Sequence, residues 1–149
     1  MLQLTKRTEY GLIALIHLAD RDGDVVSVRE IGEQYPVPLR LLAEVLKDLL
    51  GAGMLESQRG AAGGYRLARP AEQITLGEVV AALEGEPALT SCQVPGAELS
   101  GECEVKPVCP IRSPLQRIRL GIWNLFQNTT VRSLADSSLE SLFAPLPVD

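Results

Sequence analysis

All three cysteines of this chain lie in one polar segment. Cys92, Cys103 and Cys109 fall within SCQVPGAELSGECEVKPVCPI at residues 91–111. Thiolates bind zinc and iron–sulfur clusters, and a thiolate beside cations can act as a redox switch. A loop that contains Gly and Pro adopts backbone shapes able to bring several Sγ atoms to one point. The clustering of every cysteine in this loop argues against chance surface placement.

The spacing of the cysteines helps to separate these chemistries. Structural zinc sites usually contain a C-x2-C pair, whereas this chain has C-x10-C-x5-C. A thiol switch needs cations nearby, yet Glu98, Glu102 and Glu104 adjoin the cysteines in sequence. An iron–sulfur cluster is therefore favoured, and on this chemistry alone the other two interpretations stay open.

The composition is that of a globular protein with an aliphatic core. Hydrophobic residues make up 46% of the chain but aromatic residues only 4%, which favours helices. The apolar run at 11–19 is too short to span a membrane, and it lacks the pattern of a signal peptide. We therefore expect a cytoplasmic protein, whose thiols stay reduced. His17 is the single histidine and lies within that run, so no nucleophile–base pair indicates an enzyme.

The net charge of −5 is unevenly distributed along the chain. Residues 1–70 carry nine basic and nine acidic side chains, whereas residues 71–149 carry five basic and ten acidic ones. The excess of acid belongs to the second half, so the first half can still present a basic surface to DNA.

The first half of the sequence predicts three helices followed by a hairpin. The first helix covers 5–19, and SVRE is a capping box in which Ser27 and Glu30 satisfy each other's backbone N–H. Pro38 opens the third helix, because proline suits the first helical position. The two strands are MLESQR and YRLAR, joined by the Gly-rich turn GAAGG. The inner stripe of the third helix recurs at helical spacing: Leu42, Val45, Leu46 and Leu49.

Helices are also predicted for the second half. Thr75 and Glu78 form a second capping box, which starts a helix after the hairpin. Ser113 and Pro114 are a predicted N-cap and first-turn pair for a long helix, and a last amphipathic segment covers 131–143. The apolar positions of the long helix are Leu115, Ile118, Ile122 and Leu125.

This order of elements is that of a winged helix-turn-helix, a mainly α fold with a small two-stranded β-wing. In such folds the second helix of the pair enters the major groove. Arg69 and other arginines of the hairpin add positive charge, although a helical protein-interaction domain with solvated arginines would show similar periodicity. The candidate DNA-binding residues are Ser27, Arg29, Arg40, Ala43, Glu44, Lys47, Arg59, Gly60 and Arg66.

Several longer stretches match one known pattern. They are LTKRTEYGLIALIHLA, VSVREIGEQYPVPLRLLAEVLKDLLGAGMLES, QRGAAGGYRLARP, ITLGEVVAALEG and a cysteine loop ending in CPI. With these motifs the sequence resembles the Rrf2 family of bacterial transcriptional regulators, the group of IscR, NsrR and RirA, from about residue 2 to 135. The resemblance implies a homodimer that binds DNA, with the helix at 114–127 in the dimer interface and Arg59 in the minor groove.

The resemblance also implies an iron–sulfur cluster, 2Fe–2S or 4Fe–4S, bound by Cys92, Cys103 and Cys109. The gap between the first two cysteines is longer than is usual in the family, and Arg112 stands where IscR-like relatives have a histidine. A fourth ligand must therefore come from elsewhere.

Glu9 is the candidate for that fourth ligand, supplied by the other subunit of the dimer. It occupies the position where NsrR-like relatives carry a ligating aspartate, although a solvated residue at the start of a helix is the simpler interpretation. His17 is the alternative ligand, but we expect it in the core or at a dimer contact. The two residues are about 12 Å apart along a helix, so they cannot bind one centre together.

The sequence therefore predicts three parts. They are a DNA-binding domain at 1–84, a cluster-binding loop at 85–112, and a dimerisation helix with the C-terminal segment at 113–149. The expected partners are a palindromic operator in double-stranded DNA and a second copy of the chain, with no membrane. The cluster would report redox, nitric oxide or iron status. The alternative is a cluster-free DNA-binding regulator that senses through thiols or a small ligand.

Overall fold

The computed structural model describes residues 3–21, 23–94 and 103–136. Within them the chain forms a mainly α winged helix with a two-stranded antiparallel wing, which confirms the predicted fold. Short 3-10 turns at Ala71–Gln73, Ser91–Gln93 and Lys106–Val108 were not predicted from the sequence. The helices and strands are α1 Lys6–Ala19, α2 Val28–Gln34, α3 Leu39–Gly51, β1 Leu55–Gln58, β2 Gly64–Leu67, α4 Leu76–Leu83, α5 Arg112–Asn128 and α6 Val131–Ala135.

The predicted inner stripe of α3 forms the centre of the core. Burying a leucine or valine side chain stabilises the fold by about 1.5–3 kcal/mol, so this stripe is a major source of stability. It packs against α1, α2, α4 and β1. The four fully buried residues of the stripe are Leu42, Val45, Leu46 and Leu49.

The predicted capping box at the start of α2 is only half formed. The Ser27 side chain accepts from the Glu30 N–H at 3.1 Å, as expected. The Glu30 carboxylate, however, binds the guanidinium of Arg21 instead of the Ser27 N–H. A charge-assisted bond to arginine is stronger than a bond to a neutral backbone N–H, which explains the difference.

The wing is fixed to the residues that precede α2. Val26 and Tyr65 exchange two backbone hydrogen bonds, each 2.8 Å long. A Cβ atom at Gly64 would lie 2.2 Å from the Val26 carbonyl oxygen, so only glycine allows this close approach. The position of the wing is therefore coupled to the start of α2.

The capping box of α4 is complete, as predicted. The Thr75 side chain accepts from the Glu78 N–H at 3.1 Å, and the Glu78 carboxylate accepts from the Thr75 N–H at 2.8 Å. The carboxylate also binds Arg69 at 3.0 Å. Burial acts to raise the pKa of Glu78, but the bonds from Thr75 and Arg69 outweigh it and lower the pKa below its usual value.

The start of α5 differs from the prediction. The helix begins at Arg112 with Ile111 as its N-cap, so Ser113 lies inside the first turn and makes no capping bond. No residue of α5 is buried, and the side chains of Ile118 and Leu125 are 53% and 50% exposed. This long helix packs on α4 but leaves apolar side chains uncovered.

Helix α6 packs against α1 and the 3-10 turn at Ala71–Gln73, and it covers one side of the core. Val131 is fully buried, and its N–H donates to the Ile74 carbonyl at 2.8 Å. Arg132 donates to the Ala19 carbonyl at 3.2 Å and to Glu72 at 3.1 Å. The predicted segment 131–143 begins in this helix, and its part beyond residue 136 lies outside the described residues.

Among the described helices, none combines the length and the apolar character that crossing a bilayer requires.

We expect Glu78→Gln to lower the free energy of unfolding at pH 7 by about 0.3–1 kcal/mol, because the carboxylate interacts with the N-terminal end of α4. Since folding lowers the pKa of Glu78, its contribution is fully present above the unfolded-state pKa, about 4.3. The contribution is lost as the pH falls through the folded-state pKa. Below that pH the wild type and Glu78→Gln should have the same free energy of unfolding. Urea denaturation at a series of pH values measures the difference.

Glu33→Gln is the matched control, because Glu33 lies near the C-terminal end of α2, where the helix dipole disfavours a negative charge. This variant should not lose stability. Equal stability of Glu78→Gln and the wild type at every pH would contradict the role given to the carboxylate.

Candidate functional site

The exposed face of α3 presents the predicted recognition residues. Arg40 is 95% exposed, and Lys47 is exposed as well. Glu44 lies between them and pairs with Arg40 at 3.5 Å and with Arg7 of α1 at 3.7 Å. The half-buried Ala43 leaves room between these longer side chains. The face therefore combines cations, one carboxylate and a small residue, which is a mixture that can contact base edges as well as phosphates.

The electrostatics of α3 depend on α1. Arg7 binds both Glu44 and Asp48, so a cation from α1 offsets two carboxylates of α3. Within the described ranges, no ion pair involves Lys47. Helix α3 itself carries two basic and two acidic residues, so Arg7 makes the surface of α3 and the adjoining part of α1 net positive.

The two candidates at the start of α2 have different roles. The oxygen of Ser27 accepts the capping bond from Glu30, which leaves its O–H to donate outward. Arg29 is exposed in the first turn of the helix. Both lie at the N-terminal end of α2, where backbone N–H groups favour an anion such as a phosphate.

The tip of the wing presents Arg59. Its side chain is exposed, and no ion pair in the described parts of the chain involves it. Gly60 follows with φ of 112°, which an L side chain rarely adopts, and its carbonyl accepts from the Gly63 N–H at 3.0 Å. The tight turn therefore holds an arginine at the end of the hairpin, where it can reach a groove.

The other arginines of the hairpin are engaged within the chain. Arg66 faces Glu56 across the two strands and pairs with it at 2.9 Å. Arg69 donates to the Gln73 carbonyl at 2.7 Å and binds Glu78. The expectation that Arg69 adds charge to the returning strand is wrong, because it follows the end of β2 and stabilises the start of α4.

All three cysteines line one cavity of about 530 Å³. Cys92 and Cys103 are exposed, and Cys109 is half-buried. The Cys92 Sγ lies 3.1 Å from the Thr90 hydroxyl. The lining residues come from three stretches, 86–93, 103–109 and the first half of α5. These stretches together place the three thiols on the wall of one cavity. The other lining residues are Glu86, Gln93, Lys106, Arg112, Gln116 and Arg119.

The lining of this cavity is positively charged. Three cations, Lys106, Arg112 and Arg119, line it together with one carboxylate, Glu86. The sequence led us to expect glutamates around the cysteines, but Glu104 does not line the cavity, and Glu98 and Glu102 lie outside the described residues.

The sequence analysis identified the cysteines of this cavity but not its other lining residues. Arg112, Gln116 and Arg119 are spaced at i, i+4 and i+7, so they share one face of α5. That spacing was visible in the sequence and could have identified them. Glu86 could not have been found in this way, because only the packing of α4 against α5 brings it to the cavity.

Three cysteines on one cavity are the donor type that iron–sulfur clusters use. In the described ranges, no three His, Cys, Asp or Glu side chains lie close enough to hold one metal ion as they stand. A cationic lining also suits an anionic group bound by thiolates.

The two candidates for the fourth ligand lie in different surroundings. Glu9 is partly exposed on α1, where it pairs with Lys6, and it does not line the cysteine cavity of its own chain. His17 is buried, as predicted, with its ring edge-on to Tyr35 at 5.6 Å and its Nε2 4.0 Å from Glu30. The Glu9 carboxylate is thus partly accessible from outside the chain, whereas the His17 ring is largely covered by its own chain.

A winged helix with an exposed recognition helix and an arginine at the wing tip defines the class of DNA-binding regulators. The family model "Iron-dependent Transcriptional regulator" matches residues 4–137, and the chain belongs to this family, Rrf2. The protein is therefore a transcriptional regulator, and regulators of this family are not enzymes.

Solved structures of several regulators resemble this chain. CymR, the global cysteine regulator of B. subtilis, is 29% identical with a TM-score of 0.69, and the match covers 91% of this chain and 97% of CymR. The oxidized form of Staphylococcus aureus CymR is 29% identical with a TM-score of 0.68, over 91% and 97% of the two chains. IscR of T. potens is 25% identical with a TM-score of 0.67, over 94% and 90%.

We expect Arg59→Ala to weaken binding to specific DNA by about 1–3 kcal/mol, because a groove contact is lost. The measurement is fluorescence anisotropy at fixed salt, with DNA that the wild-type protein selects from a random-sequence pool. Lys6→Ala is the matched control, since Lys6 is an exposed cation at the start of α1 and is not among the candidate DNA-binding residues. Equal affinities of Arg59→Ala and the wild type would contradict the role of the wing.

Proposed function

We propose that this regulator binds a palindromic operator in double-stranded DNA as a homodimer and that an iron–sulfur cluster, 2Fe–2S or 4Fe–4S, controls the binding. The observation that carries the proposal is the cavity shared by Cys92, Cys103 and Cys109, lined by three cations. The resemblance to IscR supports the same conclusion.

On the DNA side, α3 enters the major groove with Arg40, Ala43, Glu44 and Lys47 toward the bases and phosphates. Arg59 at the wing tip reaches the adjacent minor groove. Cations that meet phosphates supply affinity on any sequence, whereas contacts with base edges supply specificity. Glu44 can accept from a cytosine amino group, which is a specific contact that a purely basic face could not make.

The dimer forms through α5. The helix has no buried residue in the single chain, and Ile118 and Leu125, seven residues apart on one face, are exposed. Large apolar side chains left uncovered on one face of a helix favour an interface with another chain. A two-fold dimer places two copies of α3 on two half-sites, which accounts for a palindromic operator.

At the cysteine cavity, Cys92, Cys103 and Cys109 hold the cluster, and Glu9 of the partner subunit completes the ligands. When bound, the cluster supplies a centre that responds to redox state, nitric oxide or iron supply. Lys106 and Arg112 offset the negative charge of the thiolates. Cluster binding then belongs to residues 85–112, DNA binding to 1–84, and dimerisation to 113–149.

A short stretch of chain after α4 lies between the cavity and a contact with α1. Glu86 lines the cavity, and two residues earlier the Glu84 carboxylate accepts from the Thr5 N–H at 2.6 Å. Thr5 is the N-cap of α1, and Arg7 in the same helix binds α3. We propose that a change at the cavity acts on α1 by this route and, through the pair of Arg7 with Asp48, on the recognition helix.

A cluster-free thiol sensor is the second candidate function. Two observations favour it: cations line the same cavity as the cysteines, and the similar structures include CymR, a cysteine regulator, also solved in an oxidized form. A sensor of this kind would act by oxidation of the same three thiols without bound iron.

We expect the protein purified without oxygen, or reconstituted with iron and sulfide, to be brown and to contain both elements. Three thiols that line one cavity are the physical reason. Visible absorption with iron and sulfide assays measures this, and Cys109→Ser should lower the content sharply. A colourless wild-type protein after anoxic reconstitution would contradict the cluster and favour the thiol sensor.

We expect Glu9→Ala to assemble a cluster with an altered visible spectrum and a faster loss in air, because the fourth ligand is missing. Lys6→Ala is the matched control, since it removes the ion pair of Glu9 but keeps the carboxylate. If Glu9→Ala resembles the wild type while His17→Ala does not, the ligand is His17.

A further inference from the structure

Arg7 reaches from α1 to two carboxylates of the recognition helix. Its Nη2 donates a hydrogen bond to Oδ2 of Asp48, and its Nη1 lies 3.7 Å from Oε2 of Glu44. Glu44 and Asp48 are one helical turn apart on α3, so a single guanidinium can contact both. The contact joins a candidate DNA-binding residue, Glu44, to a residue outside that set, Asp48.

The two contacts of Arg7 differ in kind. The bond to Asp48 is a charge-assisted hydrogen bond, which fixes one nitrogen of the guanidinium. Because the guanidinium is planar and rigid, a bond at one nitrogen restricts the directions of the other N–H groups. Asp48 is thus an anchor that holds the Nη1 of Arg7 beside Glu44.

The carboxylate of Glu44 lies between two cations and is still able to accept hydrogen bonds. Its Oε1 lies 3.5 Å from Arg40 Nε, and its Oε2 faces Arg7. Hydrogen bonds from a cation to a carboxylate are usually about 2.7–2.9 Å long, so both contacts are ion pairs that leave lone pairs free. The Glu44 side chain is also 52% exposed. It can therefore accept from a DNA base while its charge is offset.

The two cations beside Glu44 are not equally well placed to stay there when DNA binds. A carboxylate near DNA phosphates is repelled by them, so it needs a cation that remains close. Arg40 is 95% exposed and can turn toward a phosphate. Arg7 is 36% exposed and is held by Asp48, so it is the cation that can accompany Glu44 into the complex.

We propose that Arg7, anchored by Asp48, positions the Glu44 carboxylate for a sequence-specific contact with DNA. This inference rests on the proposed function, in which Glu44 accepts from a cytosine amino group. Arg7 contacts no base in this role, and its effect is on the discrimination between base pairs. An arginine that only contacted phosphates would instead raise the affinity for every sequence equally.

The experiment first locates the base pair that Glu44 contacts. Fluorescence anisotropy at fixed salt compares wild type and Glu44→Ala on the DNA that the wild type selects and on its single base-pair variants. The full chain is used in the form, with or without a cluster, in which the wild type selects DNA. The pair at which Glu44→Ala loses discrimination is the one in question. The discrimination ratio is the dissociation constant for DNA substituted at that pair divided by the constant for the selected DNA.

Asp48→Ala separates positioning from charge. The variant removes a negative charge from α3, so its affinity for DNA of any sequence should rise. It also removes the anchor of Arg7, so we expect the discrimination ratio to fall about threefold, an effect of the size expected for exposed ion pairs. Arg7→Gln should lower the ratio as well, but with weaker binding to all sequences because a cation is lost.

Glu33→Ala is the matched control for Asp48→Ala. Glu33 is an exposed carboxylate of α2 that does not contact Arg7, so its removal should raise the affinity without changing the ratio. Circular dichroism verifies that each variant keeps the helical fold.

The outcomes separate this inference from the proposed function. If Asp48→Ala binds all sequences more tightly and keeps the wild-type ratio, the positioning role of Arg7 is refuted. If Glu44→Ala discriminates at every base pair as the wild type does, Glu44 contacts no base, and the inference fails while DNA binding through the other residues stands. A wild type that selects no DNA sequence overturns the proposed function as well.

Discussion

The close approach of α3 and α4 to Gly11 of α1 is the contact on which the rest of the structure depends. A Cβ atom at this position would lie 2.8 Å from Leu83 of α4 and 3.2 Å from Val45 of α3. Helix α1 also contacts α6 and β2. It therefore lies against α3, the wing and the helix that follows α5. Because Gly11 has no side chain, Leu83 of α4 and Val45 of α3 can pack close to the backbone of α1.

Ion pairs at the surface also join α1 to α3, in addition to the packing of their apolar side chains. Exposed ion pairs contribute little stability, typically less than about 1 kcal/mol each. The pairs of Arg7 with Glu44 and Asp48 are therefore more important for orienting α1 against α3 than for holding the fold together. Weak contacts of this kind suit a regulator, because they can rearrange without unfolding the core.

Features that are determined by residues close together in sequence were predicted correctly. The stripe of α3 and the capping box of α4 are local patterns, and both are present. The predictions for Glu30, Arg69 and Ser113 were wrong in part because each outcome depends on partners brought close by tertiary packing or on the exact start of a helix. The cysteines were evident from the sequence. The cations beside them were not, because α5 brings Arg119 from outside the loop.

The anchoring of the wing has a consequence for how such proteins diversify. Gly63 and Gly64 meet backbone atoms so closely that neither can gain a side chain without displacing the hairpin. Residues 59–62, in contrast, are exposed and make up the tip. Positions 59, 61 and 62 can therefore take other side chains, whereas Gly60, with its φ of 112°, must stay glycine together with Gly63 and Gly64. Exchanging the residues at 59, 61 and 62 would change the side chains that the wing presents and leave the helices as they are.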